Sequence, residues 1–167
     1  MFAVKALLLG LFCCLALAQP ALARIEATPS ESRKDSRWVL PLHGPLGSPF
    51  GPRWGRMHEG IDIEGWAETR VRAARTGTVT RVGWLDSYSG YGLVIKIRHD
   101  GGRIVTMYAH LAKALVKPGD VVGAGQLIAK AGCTGSCSGV HLHFSVWENG
   151  KLVDPLKFLG RKAFDRR

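Results

Sequence analysis

From Trp38 onward apolar and polar residues alternate in short runs, at 78–85, 93–98, 104–108, 127–131 and 142–147. A period of two over so few residues is that of strands with one buried face. Gly, Pro or Asp-Gly turns separate the runs. His99-Asp100-Gly101-Gly102-Arg103 lies between two of them, so the 93–98 and 104–108 strands are expected to pair as an antiparallel hairpin. Val116-Lys117-Pro118-Gly119-Asp120 and Gly123-Ala124-Gly125-Gln126 predict two turns around a very short strand. No helical pattern extends beyond about two turns, and 111–115 is the best helix candidate.

The N-terminal pattern is different. Lys5, an unbroken apolar run at 6–18, Pro20 and Ala21-Leu22-Ala23 form a secretory signal peptide over 1–23. Its apolar run is shorter than the about 20 residues a bilayer span needs, so no stable membrane span is expected. Bulky Leu11 and Phe12 before Cys13 speak against lipidation, and Cys13 and Cys14 leave with the signal. Residues 24–37 are polar and charge-mixed and predict a flexible leader. The folded domain occupies 38–159, and 160–167 is a basic, frayed tail.

Composition narrows the class. A chain of 167 residues is one domain, and 46% hydrophobic against 22% charged excludes a disordered or multi-span protein. Twenty-one Gly and eight Pro multiply sharp turns and favour an all-β or β-rich fold. The first 23 residues carry one Lys and no acid, so the net charge of +10 becomes +9 on the mature chain. That charge draws it to polyanions outside the cytoplasm, cell-wall polymers among them. Nucleic acid is not the expected partner, because there is no basic amphipathic helix and no aromatic-plus-basic RNA motif. Cys133 and Cys137 remain, an even pair that reads as a disulfide in an oxidising compartment. A ring that small adds at most about 2 kcal/mol through chain entropy, so its role is to stiffen one loop.

The chemistry concentrates in histidines. His58 and Asp62 are four residues apart with Gly60 between them. Ile61 and Ile63 favour an extended strand, which puts His58, Gly60 and Asp62 on one face and leaves Glu59 facing away. That disfavours a helical zinc motif of the HExxH kind over the same residues. In His141-Leu142-His143 both imidazoles project to one side of a strand whose other face carries Leu142 and Phe144. Two such histidines with a His/Asp pair supply three nitrogen and oxygen ligands to zinc and leave a fourth position for water. Each motif alone is weak. A closed site of Cys133, Cys137, His141 and His143 is the rival, disfavoured because exported thiols oxidise and because it leaves His58 and Asp62 unexplained.

Taken in order, Ser48-Pro49-Phe50-Gly51-Pro52-Arg53, His58-Glu59-Gly60-Ile61-Asp62, Met107-Tyr108-Ala109-His110-Leu111, Val116-Lys117-Pro118-Gly119-Asp120 and Gly139-Val140-His141-Leu142-His143-Phe144 resemble the lysostaphin/LytM-type metalloendopeptidases of family M23. The resemblance covers about 40–155. It implies one zinc ion held by His58, Asp62 and His143, with His110 and His141 as catalytic residues beside a zinc-activated water. It also implies peptidoglycan as substrate, cut at Gly-Gly bonds or at stem-peptide cross-links, and hence an exported enzyme of the periplasm or cell wall. The fold implied is mostly antiparallel, an open barrel or sandwich of duplicated-hybrid-motif type with a metal-binding groove.

The alternative within that family is a non-catalytic LytM-type domain that binds and activates another wall hydrolase. Such regulators lack one or more of the five residues, all present here, and their protein partner would be unknown. A biotinyl-type carrier is disfavoured by the lack of a modifiable Lys at a hairpin tip and by the export signal. Two departures stand out: the loop Gly132-Cys133-Thr134-Gly135-Ser136-Cys137-Ser138-Gly139, and Ser145 where relatives often carry Glu. The short segment between Arg53 and His58 implies an open groove. His43 and His99 are expected to be solvent-facing or structural.

Overall fold

The computed structural model describes residues 37–53, 55–85 and 90–164. The signal segment, the leader up to residue 36 and the last three residues of the tail lie outside them. Short strands come first: β1 (Leu46–Ser48), β2 (Gly51–Arg53), β3 (Arg56–His58), β4 (Ile61–Glu64) and β5 (Arg70–Arg72). The longer β6 (Gly77–Trp84), β7 (Leu93–His99) and β8 (Ile104–Ala109) follow, then β9 (Leu111–Ala114), β10 (Val121–Val122) and β11 (Leu127–Ala131). The chain ends with β12 (His141–Glu148), β13 (Lys151–Val153) and a four-residue helix, α1 (Leu156–Leu159). All strand pairs are antiparallel. The large sheet runs β1-β4-β12-β8-β7-β6-β10 with β13 added to β12, a second runs β5-β11-β9, and β2-β3 is a separate ribbon. These are open antiparallel sheets, as the turn-rich pattern predicts, and not a closed barrel.

Alternation explains which side chains are buried. On β7 and β8, Ile95, Ile97 and Tyr108 enter the main core, while Val94, Met107 and Ala109 face a smaller cluster with Leu85, Tyr91 and Trp147. Apolar side chains thus lie on both faces of the central strands, with Lys96 and Arg98 of β7 left towards solvent. Leu142, Phe144 and Val146 of β12 meet Val71, Ile128 and Ala131 of the second sheet in the main core. The expected hairpin joins β7 to β8 across Asp100–Gly102, and the very short strand between two turns is β10. Among the described residues no helix is long and apolar enough to cross a membrane.

Two local expectations are corrected. Residues 111–115 are not helical, because β9 pairs with β11 with Leu111 opposite Ala131. Leu-Ala-Lys-Ala suits a helix by propensity, but the buried Leu111 and the unpaired edge of β11 decide for a strand. Residues 58–62 are not one strand either: β3 ends at His58, the chain bends at Gly60, and β4 begins at Ile61. A Cβ at Gly60 would lie 2.4 Å from the Phe144 carbonyl oxygen and 2.8 Å from His143 Nε2. The glycine makes room for β12 and its imidazole.

Candidate metal centre

Register builds the centre. Asp62 on β4 lies directly opposite His143 on β12, so their side chains share one face of the sheet. The bend at Gly60 brings His58 to the same point. His58 Nε2 is 3.1 Å from Asp62 Oδ1 and 3.1 Å from His143 Nδ1, and His143 Nδ1 is 2.9 Å from Asp62 Oδ1. Both imidazoles are about 4% exposed.

The outward atoms of these groups are held as well. His58 Nδ1 donates to the Pro49 carbonyl at 2.7 Å, and His143 Nε2 is hydrogen-bonded with the Ser145 hydroxyl at 2.9 Å. With those outward nitrogens engaged, His58 Nε2 and His143 Nδ1 face the carboxylate. Two ring nitrogens and a carboxylate oxygen converging so closely form a pocket that could hold a cation. Their spacing is close to the about 3.3 Å edge of a tetrahedral zinc site, and two imidazoles with one carboxylate suit that ion. Arg53 Nη1 bonds Asp62 Oδ2 at 3.3 Å and Ser48 Oγ at 2.7 Å, leaving Oδ1 for the histidines. Burial works to raise the Asp62 pKa, but His143 and His58 at hydrogen-bond distance override it and hold the carboxyl well below the usual carboxylate range. Burial pushes the His143 pKa down against the pull of Asp62.

His110 and His141 flank the three donors. His110 follows Ala109, which pairs with His143, and it takes a left-handed backbone (φ 59°) where the chain leaves β8 for β9. Its Nδ1 donates to the Thr134 carbonyl at 2.8 Å, and burial lowers its pKa despite that bond. His141 Nδ1 donates to the Gly139 carbonyl at 2.8 Å, while Nε2 lies 3.8 Å from Asp62 Oδ1. The two rings are 4.6 Å apart between centres. All five residues singled out from the sequence thus gather at one place.

The family model described as peptidase family M23 matches residues 56–155. The chain belongs to peptidase family M23. It is 39% identical over 118 residues to the DD-carboxypeptidase/endopeptidase Mpg of Neisseria meningitidis serogroup B, covering 66% of this chain and 26% of that protein. It is 36% identical over 133 residues to the murein hydrolase activator NlpD of Salmonella dublin, covering 80% and 34%. Lysostaphin of Staphylococcus simulans is similar in structure, with a TM-score of 0.69, 32% identity, and coverage of 81% of this chain and 56% of that one. The chain spans about a third or less of each of these two curated relatives.

In this M23 chain the donors lie where two clefts join. One, of about 750 Å³, is lined by Arg56, Glu59, Tyr91 and the four histidines. The other, of about 640 Å³, runs past Glu64, Trp66, Thr69 and Val140, and Arg53, Asp62, Ser138 and His141 line both. Glu59 does not join the donors, yet it lines the first cleft instead of facing away and accepts the Tyr91 hydroxyl at 2.6 Å. Tyr91 was not visible as a site residue; its one local signal is the glycine on either side, which lets the chain turn into the cleft. Of the histidines outside the motifs, His43 lines the second cleft and His99 is buried against Thr76 and Thr106. Cys133 and Cys137 are bonded to each other and make no closed site with His141 and His143.

Proposed function

We propose that the protein is an exported zinc metalloendopeptidase that hydrolyses peptide cross-links of peptidoglycan. The convergence of His58 Nε2, Asp62 Oδ1 and His143 Nδ1, with His110 and His141 beside them, carries this reading. When bound, zinc polarises the scissile carbonyl and makes a water acidic enough to attack it. The chain supplies the rest. Pro49, Ser145 and Arg53 aim the three donors, and the open junction of the two clefts admits an extended peptide on both sides. His110 and His141, protonated on Nδ1, offer Nε2 as acceptors. Nε2 of one of them takes the proton of the attacking water, and the imidazolium so formed, now a donor, steadies the oxyanion and returns that proton to the leaving amine. The signal peptide read over 1–23 and the Cys133–Cys137 disulfide support export to the periplasm or cell wall.

A second reading, a domain that binds and activates another wall hydrolase, is favoured by the likeness to the Salmonella dublin activator. The complete set of five residues supports the enzyme over it. Mass spectrometry of purified peptidoglycan incubated with the zinc-loaded protein decides between them. New amines at a cross-link, absent with chelator and absent for His141→Ala, are expected. No cleavage by a folded, zinc-loaded protein would transfer the weight to the activating role.

A further inference from the structure

His110 and His141 come from different elements, yet both are held by one short loop. Thr134 and Gly139 supply the carbonyl oxygens that accept from His110 Nδ1 and His141 Nδ1, each at 2.8 Å. A carbonyl cannot donate, so each ring carries its proton on Nδ1 and keeps Nε2 as an acceptor. The zinc donors take none of their bonds from this loop; Pro49, Ser145 and Arg53 serve them.

The loop is closed by the Cys133–Cys137 disulfide, and Cys137 Sγ rests 3.7 Å from His141 Nδ1. It is docked by bonds of its own. Thr134 Oγ1 accepts from Leu93 N at 3.0 Å and donates to the Leu111 carbonyl at 2.9 Å, and Ser136 N donates to the Gly90 carbonyl at 2.8 Å. The approach is so close that a Cβ at Gly92 would lie 2.5 Å from Thr134, and one at Gly135 would lie 2.3 Å from the Gly90 oxygen. Gly132, Gly135 and Gly139 give this segment wide backbone freedom when nothing closes it. The covalent closure spans 133–137, so it encloses Thr134 and anchors the chain two residues before Gly139.

Building on the hydrolytic reading of the site, we infer that the loop at 133–139, closed by a disulfide over 133–137, is a positioning element, which orients His110 and His141 through the Thr134 and Gly139 carbonyls and so governs turnover without governing metal binding. The acid–base pair is set by the loop and the metal donors by the sheet, two supports that respond separately to oxidation of the cysteines.

The test compares the wild-type protein with Cys133→Ser/Cys137→Ser, both zinc-loaded. Long-range proton–nitrogen spectra of the imidazoles are expected to show the Nδ1–H form for His110 and His141 in the wild type and mixed forms in the variant. Zinc affinity, measured by competition with a chromophoric chelator, stays within about twofold, while kcat on cross-linked peptide falls about 10- to 100-fold with KM little changed. Thr134→Val, which keeps the disulfide and removes the bonds to Leu93 and Leu111, gives a smaller fall and the same loss of the His110 form; it decides the matter if the double variant does not fold. Unchanged imidazole spectra and kcat in a folded variant would overturn the inference, and so would loss of zinc in step with activity. A wild type that holds zinc but cuts nothing defeats the hydrolytic reading alone, since the spectra still report whether the loop sets the rings.

Discussion

At the scale of single residues, the two histidines of the 141–143 pair have opposite tasks, and the difference is measurable. His143 points Nδ1 at the other donors, so His143→Ala is expected to lose stoichiometric zinc on metal analysis. His141→Ala keeps the metal and loses turnover by about 10²- to 10⁴-fold, the range for removing a general acid or base. Hydrolysis retained by His143→Ala would sink the ligand assignment. Gly60 is equally exposed to test. The Cβ of Gly60→Ala would meet backbone of β12 2.4 Å away, which cannot swing aside, and about 1–3 kcal/mol of stability is expected to go. Chemical denaturation would show it, with zinc affinity falling as His143 is pushed out of line.

At the scale of elements, β12 supports both the core and the site. Its Leu142, Phe144 and Val146 are fully buried, while His141 and His143 between them face the cleft. Tyr108 and Phe144 rings lie 5.2 Å apart, and the Tyr108 hydroxyl accepts from Ala74 N at 2.8 Å, tying β8 to the chain before β6. Phe144→Ala is expected to cost about 3–5 kcal/mol, seen as a lower denaturation midpoint, with the zinc affinity of the surviving folded protein less affected because the ligand face is untouched. Strand identity was legible here: a run with apolar and polar positions alternating cannot bury one face as a helix. At 111–115 it was not legible, because Leu-Ala-Lys-Ala has no turn or β-branched residue to mark a strand, and only the open edge of β11 selects that conformation.

For the whole molecule, pH dependence should come from buried histidines. Burial lowers the His99 pKa below its ordinary 6.5, against the bond to Thr76, with Arg75 acting in the same direction as burial and Asp100 against it. Burial lowers the His110 and His143 pKa values too. A folded-state pKa below the unfolded value means the unfolded chain binds more protons, so stability is full above about pH 6.5 and falls as the pH drops below it. Denaturation midpoints from pH 7.5 down to about 5 are expected to trace that fall. His99→Gln, which has nothing to protonate there, should be less stable above pH 6.5 and show a shallower slope below it. An unchanged slope would assign the proton uptake elsewhere.

The sequence by itself determined the all-β class, the main hairpin, the short strand between its two turns and the cysteine pairing, because each follows from period, turn chemistry or separation along the chain. It also picked out His58, Asp62, His110, His141 and His143, though as separate motifs whose weight came from their order and resemblance. Only the tertiary structure decided how they meet. The register of β4 against β12 sets Asp62 opposite His143, the bend at Gly60 swings His58 in, and backbone carbonyls of Pro49, Thr134 and Gly139 choose which nitrogen of each ring carries its proton. Arg53 and Tyr91 acquire their roles from neighbours that are distant in the chain or across a bend, and no local pattern marks a contact of that kind; Ser145, two residues from His143 on one strand face, was within reach of the period-two pattern.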